Sequence, residues 1–129
     1  MKNQDKLVSL AAEARKKAHA PYSNFAVGAA LLAKSGRVYT GCNVENASYG
    51  LSICAERVAV FKAVSEGERE FEAIAVVSEN GVTPCGACRQ VLMEFGDDVQ
   101  VIVADTADHR RVFALTDLLP EGFTPEHLL

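Results

Sequence analysis

The sequence predicts an α/β fold, a three-layer α-β-α sandwich built on a mixed sheet of about five strands. Two observations predict it. Segments with helical apolar spacing alternate with short segments rich in Val, Ile, Leu, Phe and Tyr, and their order along the chain is α-β-β-α-β-α-β-β. A length of 129 residues and a hydrophobic fraction of 49% suit a single domain, residues 1–129, with one packed core.

The first third of the chain predicts a helix and a hairpin. Residues 4–19 carry apolar side chains at i, i+3, i+4, i+7 and i+11, which places them on one helical face. Pro21 should end this helix, because the residue before a proline avoids the helical region. Residues 25–33 and 37–43 flank Ser35-Gly36, a two-residue turn signal, and are therefore expected to pair as antiparallel strands.

The remaining two thirds predict alternating helices and strands. Helices are expected over about residues 54–66 and 85–95, each followed by a glycine that favours a helix C-terminus. Residues 71–78 are almost continuously apolar, which is typical of a central strand buried on both faces. A further apolar strand covers 99–104. A short last strand over 111–115 should be antiparallel to it, because their connection is too short for a crossover.

Charge and composition exclude several classes of partner. The net charge of −4 and a pI of about 5.3 argue against nucleic-acid binding, which depends on cationic contacts to phosphate, and are compatible with a small uncharged substrate. No apolar run approaches the roughly 20 residues that span a bilayer, and the N-terminus lacks the apolar region of a signal peptide. We therefore expect no membrane partner and a cytoplasmic location. There, the four cysteines should be thiols or metal ligands.

Two short runs, Cys54-Ala55-Glu56 and Pro84-Cys85-Gly86-Ala87-Cys88, together predict a catalytic zinc site. Structural zinc usually has four protein ligands, whereas catalytic zinc has three and leaves one position open for water. Cys54, Cys85 and Cys88 are the predicted ligands. Each falls at or near a predicted helix start, where free N–H groups and the helix dipole stabilise thiolate, the form that binds metal.

Two side chains next to the first cysteine have predicted roles. Glu56 is the candidate to take a proton from zinc-bound water and pass it to the substrate. It reaches the metal only if Cys54 lies at the very end of its helix, because positions i and i+2 do not share a helical face. Three thiolates and Zn²⁺ sum to −1, so Arg57 is expected to hydrogen-bond ligand sulfurs and offset the excess charge.

Two other interpretations of the cysteines stay open at this point. Cys85 and Cys88 alone would also suit a thioredoxin-like redox pair, although the third cysteine with its neighbouring acid disfavours that. A structural zinc site would need a fourth ligand, for which the candidates are Cys42, His19, His109 and His127. None of these has the sequence spacing to a second ligand that such sites usually show. Cys42 is interpreted instead as a small buried hydrophobic residue.

The motifs resemble a known family, the small homotetrameric cytidine deaminases, along nearly the whole chain. The matching segments are residues 20–31 (APYSNFAVGAAL), 41–49 (GCNVENASY), 54–57 (CAER) and 84–91 (PCGACRQV). The segments 54–57 and 84–91 indicate the superfamily. The Asn-Val-Glu-Asn sequence within 41–49 points to a free nucleoside as substrate.

This resemblance implies a zinc-dependent hydrolase that converts cytidine and 2′-deoxycytidine to uridine and 2′-deoxyuridine, with release of ammonia, in pyrimidine salvage. It implies one Zn²⁺ per subunit, with Glu56 carrying the proton from zinc-bound water to the pyrimidine ring and the leaving amine. Three alternatives are less favoured: a deaminase of a cytosine-containing antibiotic, similar to the blasticidin S deaminases; a polynucleotide deaminase; and a non-catalytic zinc-stabilised binding protein.

The resemblance also implies roles for residues outside the zinc motif. Asn43 and Glu45 match the pair that hydrogen-bonds the ribose hydroxyls, and Phe25 matches the aromatic residue that packs against the pyrimidine. The backbone of Ala55 and the carbonyl of Thr83 match groups that hold the base and its amine. The residues that match those closing the site of a neighbouring subunit, in a homotetramer with shared active sites, are Ala47, Tyr49 and Phe123.

Overall fold

The structure is a computed structural model that describes residues 2–128. The predicted order of helices and strands is confirmed, and three short elements, a four-residue helix and two 3₁₀ turns, are added to it. The elements are α1 (Lys2–Arg15), β1 (Val27–Ala33), β2 (Val38–Cys42), α2 (Ala55–Ser65), β3 (Phe71–Ser78), α3 (Gly86–Met93), β4 (Gln100–Ala104), β5 (Arg110–Ala114) and α4 (Leu115–Leu118), with 3₁₀ turns at Tyr49–Leu51 and Pro125–His127.

The five strands form one mixed sheet in the order β2-β1-β3-β4-β5. β1 is antiparallel to both β2 and β3, β3 and β4 are parallel, and β5 is antiparallel to β4. The predicted hairpin and the antiparallel last strand are therefore confirmed. β3 occupies the centre of the sheet as expected, and all of its residues except Glu72 are buried.

Helices cover both faces of the sheet, which confirms the three-layer arrangement. On one face α1 packs on alternate residues of the central strands, with Leu7 and Ala11 fully buried against them. On the other face α2 and α3 contribute Val60 and Leu92 to a second apolar cluster that includes Ile74 of β3. Both clusters bury apolar surface that would otherwise face water, the main favourable term in folding.

Two predictions of detail are wrong. α1 ends at Arg15 rather than near residue 19. The next three residues donate backbone hydrogen bonds to the residue three positions earlier, and the backbone of His19 then bonds to a distant segment. The backbone of His19 accepts from Glu45 N–H and donates to Asn43 O at 2.8 and 3.0 Å. Cys42 is half-buried rather than fully buried, and it lines a cleft with Lys17 and other residues.

A glycine sets how closely the second helix approaches the sheet. A Cβ atom on Gly41 of β2 would lie 2.5 Å from the carbonyl oxygen of Ala55 and 2.7 Å from the nitrogen of Ala59. Only glycine therefore lets the first turn of α2 sit directly on β2, which positions the start of that helix. Within the described part of the chain, none of the helices is long and apolar enough to span a membrane.

Candidate metal centre and substrate pocket

The starts of α2 and α3 bring the three predicted zinc ligands together. Cys54 and Cys85 are the N-cap residues of the two helices, both with extended backbone angles, and Cys88 lies buried in the first turn of α3. The sulfur of Cys85 lies 3.9 Å from that of Cys54 and 3.5 Å from that of Cys88. All three sulfurs are within 4.8 Å of one another.

These distances fit a tetrahedral zinc ion. Zn–S bonds of about 2.3 Å at tetrahedral angles place sulfurs about 3.8 Å apart, between the two measured separations. Among residues 2–128, no histidine, aspartate, glutamate or further cysteine joins the cluster as a fourth ligand. The three-cysteine donor set therefore has the ligand count that is typical of catalytic zinc, and among the described residues none of the fourth-ligand candidates completes a structural site.

Hydrogen bonding and burial shift the pKa values of Cys54 and Cys88 in opposite directions. Hydrogen bonds from Cys88 and Arg57 lower the pKa of Cys54 to about 5. Hydrogen bonding to Cys54, together with burial, raises the pKa of Cys88 far above its ordinary range. Cys54 is therefore the more readily ionised of the two thiols. Coordination to a divalent cation would deprotonate both.

Arg57 lies where the sequence predicted it, beside a ligand sulfur. Its Nη2 donates to Cys54 Sγ at 3.5 Å. This hydrogen bond raises the pKa of Arg57, so its cationic form is favoured. The Nε atom of the same guanidinium is buried without a hydrogen-bond partner. The arrangement supplies a positive charge next to an anionic donor set, as the charge count requires.

Glu56 is buried at the edge of the sulfur cluster. Because Cys54 is the N-cap and not a helical residue, the condition for Glu56 to reach the metal is met. Its side chain is only 5% exposed. Desolvation, reinforced by the negative charge of Cys54, raises its pKa to about 7. A carboxyl group with this pKa can both accept and donate a proton near neutral pH.

A pocket of about 250 Å³ is lined by Glu56 and by other predicted site residues. The structure brings Phe25, Asn43, Glu45, Ala55 and Thr83 together at its walls, as the resemblance implied. Val82, from the loop that follows β3, completes one side. The full lining is Ser23, Phe25, Val27, Asn43, Glu45, Cys54, Ala55, Glu56, Val76, Val82, Thr83 and Cys85.

The residues expected to bind ribose are fixed by hydrogen bonds to the loop before β1. The Glu45 carboxylate accepts from the backbone N–H groups of Tyr22 and Ser23 at 3.0 and 3.1 Å, and from the Ser23 hydroxyl. These bonds, above all the hydroxyl, hold the pKa of Glu45 below its ordinary value. The Asn43 amide donates to Phe25 O at 2.8 Å, and its carbonyl accepts from Val27 N–H at 2.9 Å.

Ser23 is a site residue that sequence reasoning missed. Its hydroxyl donates to Glu45 and accepts from the backbone N–H of Phe25 at 3.0 Å, so it connects two residues that line the pocket. The available signal was its position two residues before Phe25, since serine often bonds the backbone two residues on.

Three predicted site residues lie outside this pocket. Ala47, Tyr49 and Phe123 are all exposed. The ring of Tyr49 makes an edge contact with Tyr22, with centroids 6.0 Å apart, and the ring of Phe123 stacks on His127 at 5.4 Å. Within one chain, then, these side chains do not reach the sulfur cluster.

Comparisons with known proteins agree with this geometry. The family model for the cytidine and deoxycytidylate deaminase zinc-binding region matches residues 1–104. The cytidine deaminase of Sporosarcina psychrophila is 47% identical over 127 residues, covering 96% of this chain and 93% of that protein. That of Halalkalibacterium halodurans is 50% identical over 125 residues, covering 95% of each. A crystal structure of cytidine deaminase from Burkholderia pseudomallei matches with a TM-score of 0.89 at 52% identity, covering 92% of this chain and 98% of the other. The chain therefore belongs to the zinc-binding cytidine and deoxycytidylate deaminase family.

Proposed function

We propose that this protein catalyses the zinc-dependent hydrolysis of cytidine and 2′-deoxycytidine to uridine and 2′-deoxyuridine, with release of ammonia, as a step of pyrimidine salvage. One observation carries the proposal. A single pocket is lined by two cysteines of the three-cysteine cluster, by the buried Glu56 carboxyl group and by the Asn43–Glu45 pair. A nucleoside has the matching polarity, with an amine to be removed at one end and hydroxyl groups at the other.

The proton transfers fall to Glu56. Cys54, Cys85 and Cys88 would hold the zinc ion, which would supply Lewis acidity to activate a water molecule for attack on the amine-bearing ring carbon. The Glu56 carboxylate accepts the proton that the water loses and donates it to the adjacent ring nitrogen. It then transfers the second proton of the same water molecule to the departing amine, which leaves as ammonia. Its burial supports this role, because desolvation raises its pKa and so favours a carboxyl group that can hold a proton as well as release one.

The other pocket residues bind and orient the nucleoside. Phe25 packs against the pyrimidine ring. The Thr83 carbonyl accepts from the amine, and the backbone of Ala55 holds the base. Asn43 and Glu45 offer an amide and a carboxylate to the ribose hydroxyls. Because Glu45 is already fixed by Tyr22 and Ser23, little ordering remains to be done when the sugar binds.

We also propose that the active form is a homotetramer in the cytoplasm. The exposure of Ala47, Tyr49 and Phe123 supports the first part, because these side chains are free to reach a neighbouring subunit's pocket. All four cysteines are free, as a reducing compartment requires. Size-exclusion chromatography with activity measured across the profile tests the assembly: turnover should follow the tetramer, and a fully active monomer would contradict it.

Cytidine turnover by purified, zinc-replete protein tests the proposed function. The loss of absorbance should be followed in the ultraviolet, with uridine identified by chromatography. Glu56→Gln should abolish conversion while retaining one zinc per chain. Glu66→Gln, at the exposed end of the same helix, is the matched control and should stay active. No conversion of cytidine or deoxycytidine despite bound zinc would instead indicate another aminated heterocycle or a non-catalytic role.

A further inference from the structure

The loop between β3 and α3 is held by side chains alone. Within the described residues, no hydrogen bond between main-chain groups involves residues 79–84. The buried Ser78 hydroxyl accepts from the N–H groups of Gly81 and Val82 at 3.1 and 3.2 Å. On the far side, Arg111 Nη2 donates to Gly81 O at 2.8 Å. These contacts fix the first half of the loop and leave its second half, which enters the metal centre, to another residue.

Arg89 fixes that second half. Its Nε donates to Pro84 O at 2.7 Å and its Nη2 donates to the Thr83 hydroxyl at 2.8 Å. Its Nη1 donates to Leu118 O at 2.6 Å, a carbonyl at the end of α4 with no partner inside that helix. All three guanidinium nitrogens are thus used, in a fork that a lysine ammonium cannot reproduce.

The position of these contacts gives them a consequence for the site. Thr83 and Val82 form one wall of the pocket, and Pro84 immediately precedes Cys85. In the proposed function, the Thr83 carbonyl accepts from the amine that leaves. A bond to a group whose charge and position change during the reaction matters more in the transition state than in the bound substrate.

We propose that Arg89 is a positioning residue for the deamination: by tying Thr83 and Pro84 to the end of α4, it holds the pocket wall on which the leaving amine lies. This inference rests on the proposed function. It assigns Arg89 no contact with substrate or metal. It acts only through Thr83 and through the chain segment that enters Cys85.

Arg89→Lys tests this role with charge preserved. For zinc-replete protein, we expect kcat for cytidine to fall by about tenfold to a hundredfold, with KM within about threefold of the parent. Arg69→Lys is the matched control, because Arg69 also donates to two backbone carbonyls, of Val64 and Glu68, but on the exposed surface. It should leave both constants unchanged. Zinc content is measured for every variant.

Two further measurements separate positioning from general structure. Thr83→Val removes the hydroxyl that accepts from Arg89, so Thr83→Val and Arg89→Lys should be non-additive in kcat. Hydrogen exchange of peptides covering residues 79–88 should be faster in Arg89→Lys, while exchange in β3 stays at the parent rate. This second readout does not depend on turnover.

The outcomes distinguish the two proposals. If the parent enzyme is active and Arg89→Lys has a kcat within twofold of it, the positioning role is wrong even if exchange is faster. The role is also wrong if the loss of kcat merely follows loss of zinc, or if Arg69→Lys loses as much. An inactive parent would overturn the proposed function and this role with it.

Discussion

The buried carboxyl of Glu56 should weaken the metal-free fold as pH rises. In the folded chain its pKa is about 7, against an ordinary value of 4.5. Between these two pH values the unfolded chain has already released the proton while the folded chain still holds it. The unfolding free energy of the parent must therefore fall across this interval, and the penalty is complete above pH 7. Glu56→Gln keeps the shape of the side chain and removes the titration.

The size of the effect follows from the difference in pKa. A separation of about 2.5 units at 1.36 kcal/mol per unit corresponds to about 3 kcal/mol. Relative to the parent, Glu56→Gln should therefore gain about 3 kcal/mol of stability between pH 4.5 and pH 8. With an m-value of about 2 kcal/mol/M in urea, the difference between the two midpoints should change by about 1.5 M over this range.

The assay is urea unfolding of chelator-treated, reduced protein at several pH values, followed by circular dichroism. Cys54 and Cys88 are present in both proteins, so their own titrations largely cancel in the difference. Glu66→Gln, an exposed carboxylate exchanged in the same way, is the control and should follow the parent curve. If the parent and Glu56→Gln lost stability in parallel over the whole range, the desolvation argument for Glu56 would be refuted.

Three further outcomes are expected. Ser23→Ala removes a hydroxyl donor from Glu45 and should raise KM for cytidine by about threefold to tenfold with zinc retained; an unchanged KM in steady-state kinetics would contradict the role of Ser23. Gly41→Ala places a Cβ within 2.5 Å of Ala55 O and should destabilise the protein by about 1–3 kcal/mol in urea unfolding; a parent-like midpoint would contradict the close packing. Chelation should lower the thermal midpoint and added zinc should restore it, whereas Cys85→Ala should neither bind zinc nor respond to it in calorimetry.

Much of the fold was predictable because its signals are local. The two helices that carry the cysteines have apolar faces and are followed within three residues by Gly67 and Gly96, both with positive φ, and β3 is apolar enough to be recognised as central. The zinc cluster was predictable for a related reason. Its three ligands lie in two short runs, and a helix N-cap places the side chain of Cys54 or Cys85 in a defined direction.

What sequence reasoning missed depends on contacts between distant segments. α1 stops early because the His19 backbone pairs beside Val44, 25 residues further on, and nothing near Arg15 signals it. α4 has no side-chain hydrogen bond at its N-cap, and its first residue, Leu115, is fully buried in the core. The pocket-wall contacts of Arg89 and Ser23 likewise join residues that only the tertiary structure brings together.

The separation of the ligands along the chain has a consequence for folding. Cys54 and Cys85 are 31 residues apart, and the whole of β3 lies between them. An ion held by both therefore closes a loop around the central strand, much as a covalent cross-link would. Loop-closure entropy for that length is on the order of 3–4 kcal/mol, in the chain-entropy treatment used for disulfides. The unfolded chain would have to meet this cost before it could hold the ion at both cysteines, so the metal binds and stabilises the folded chain, in addition to any chemistry that it performs there.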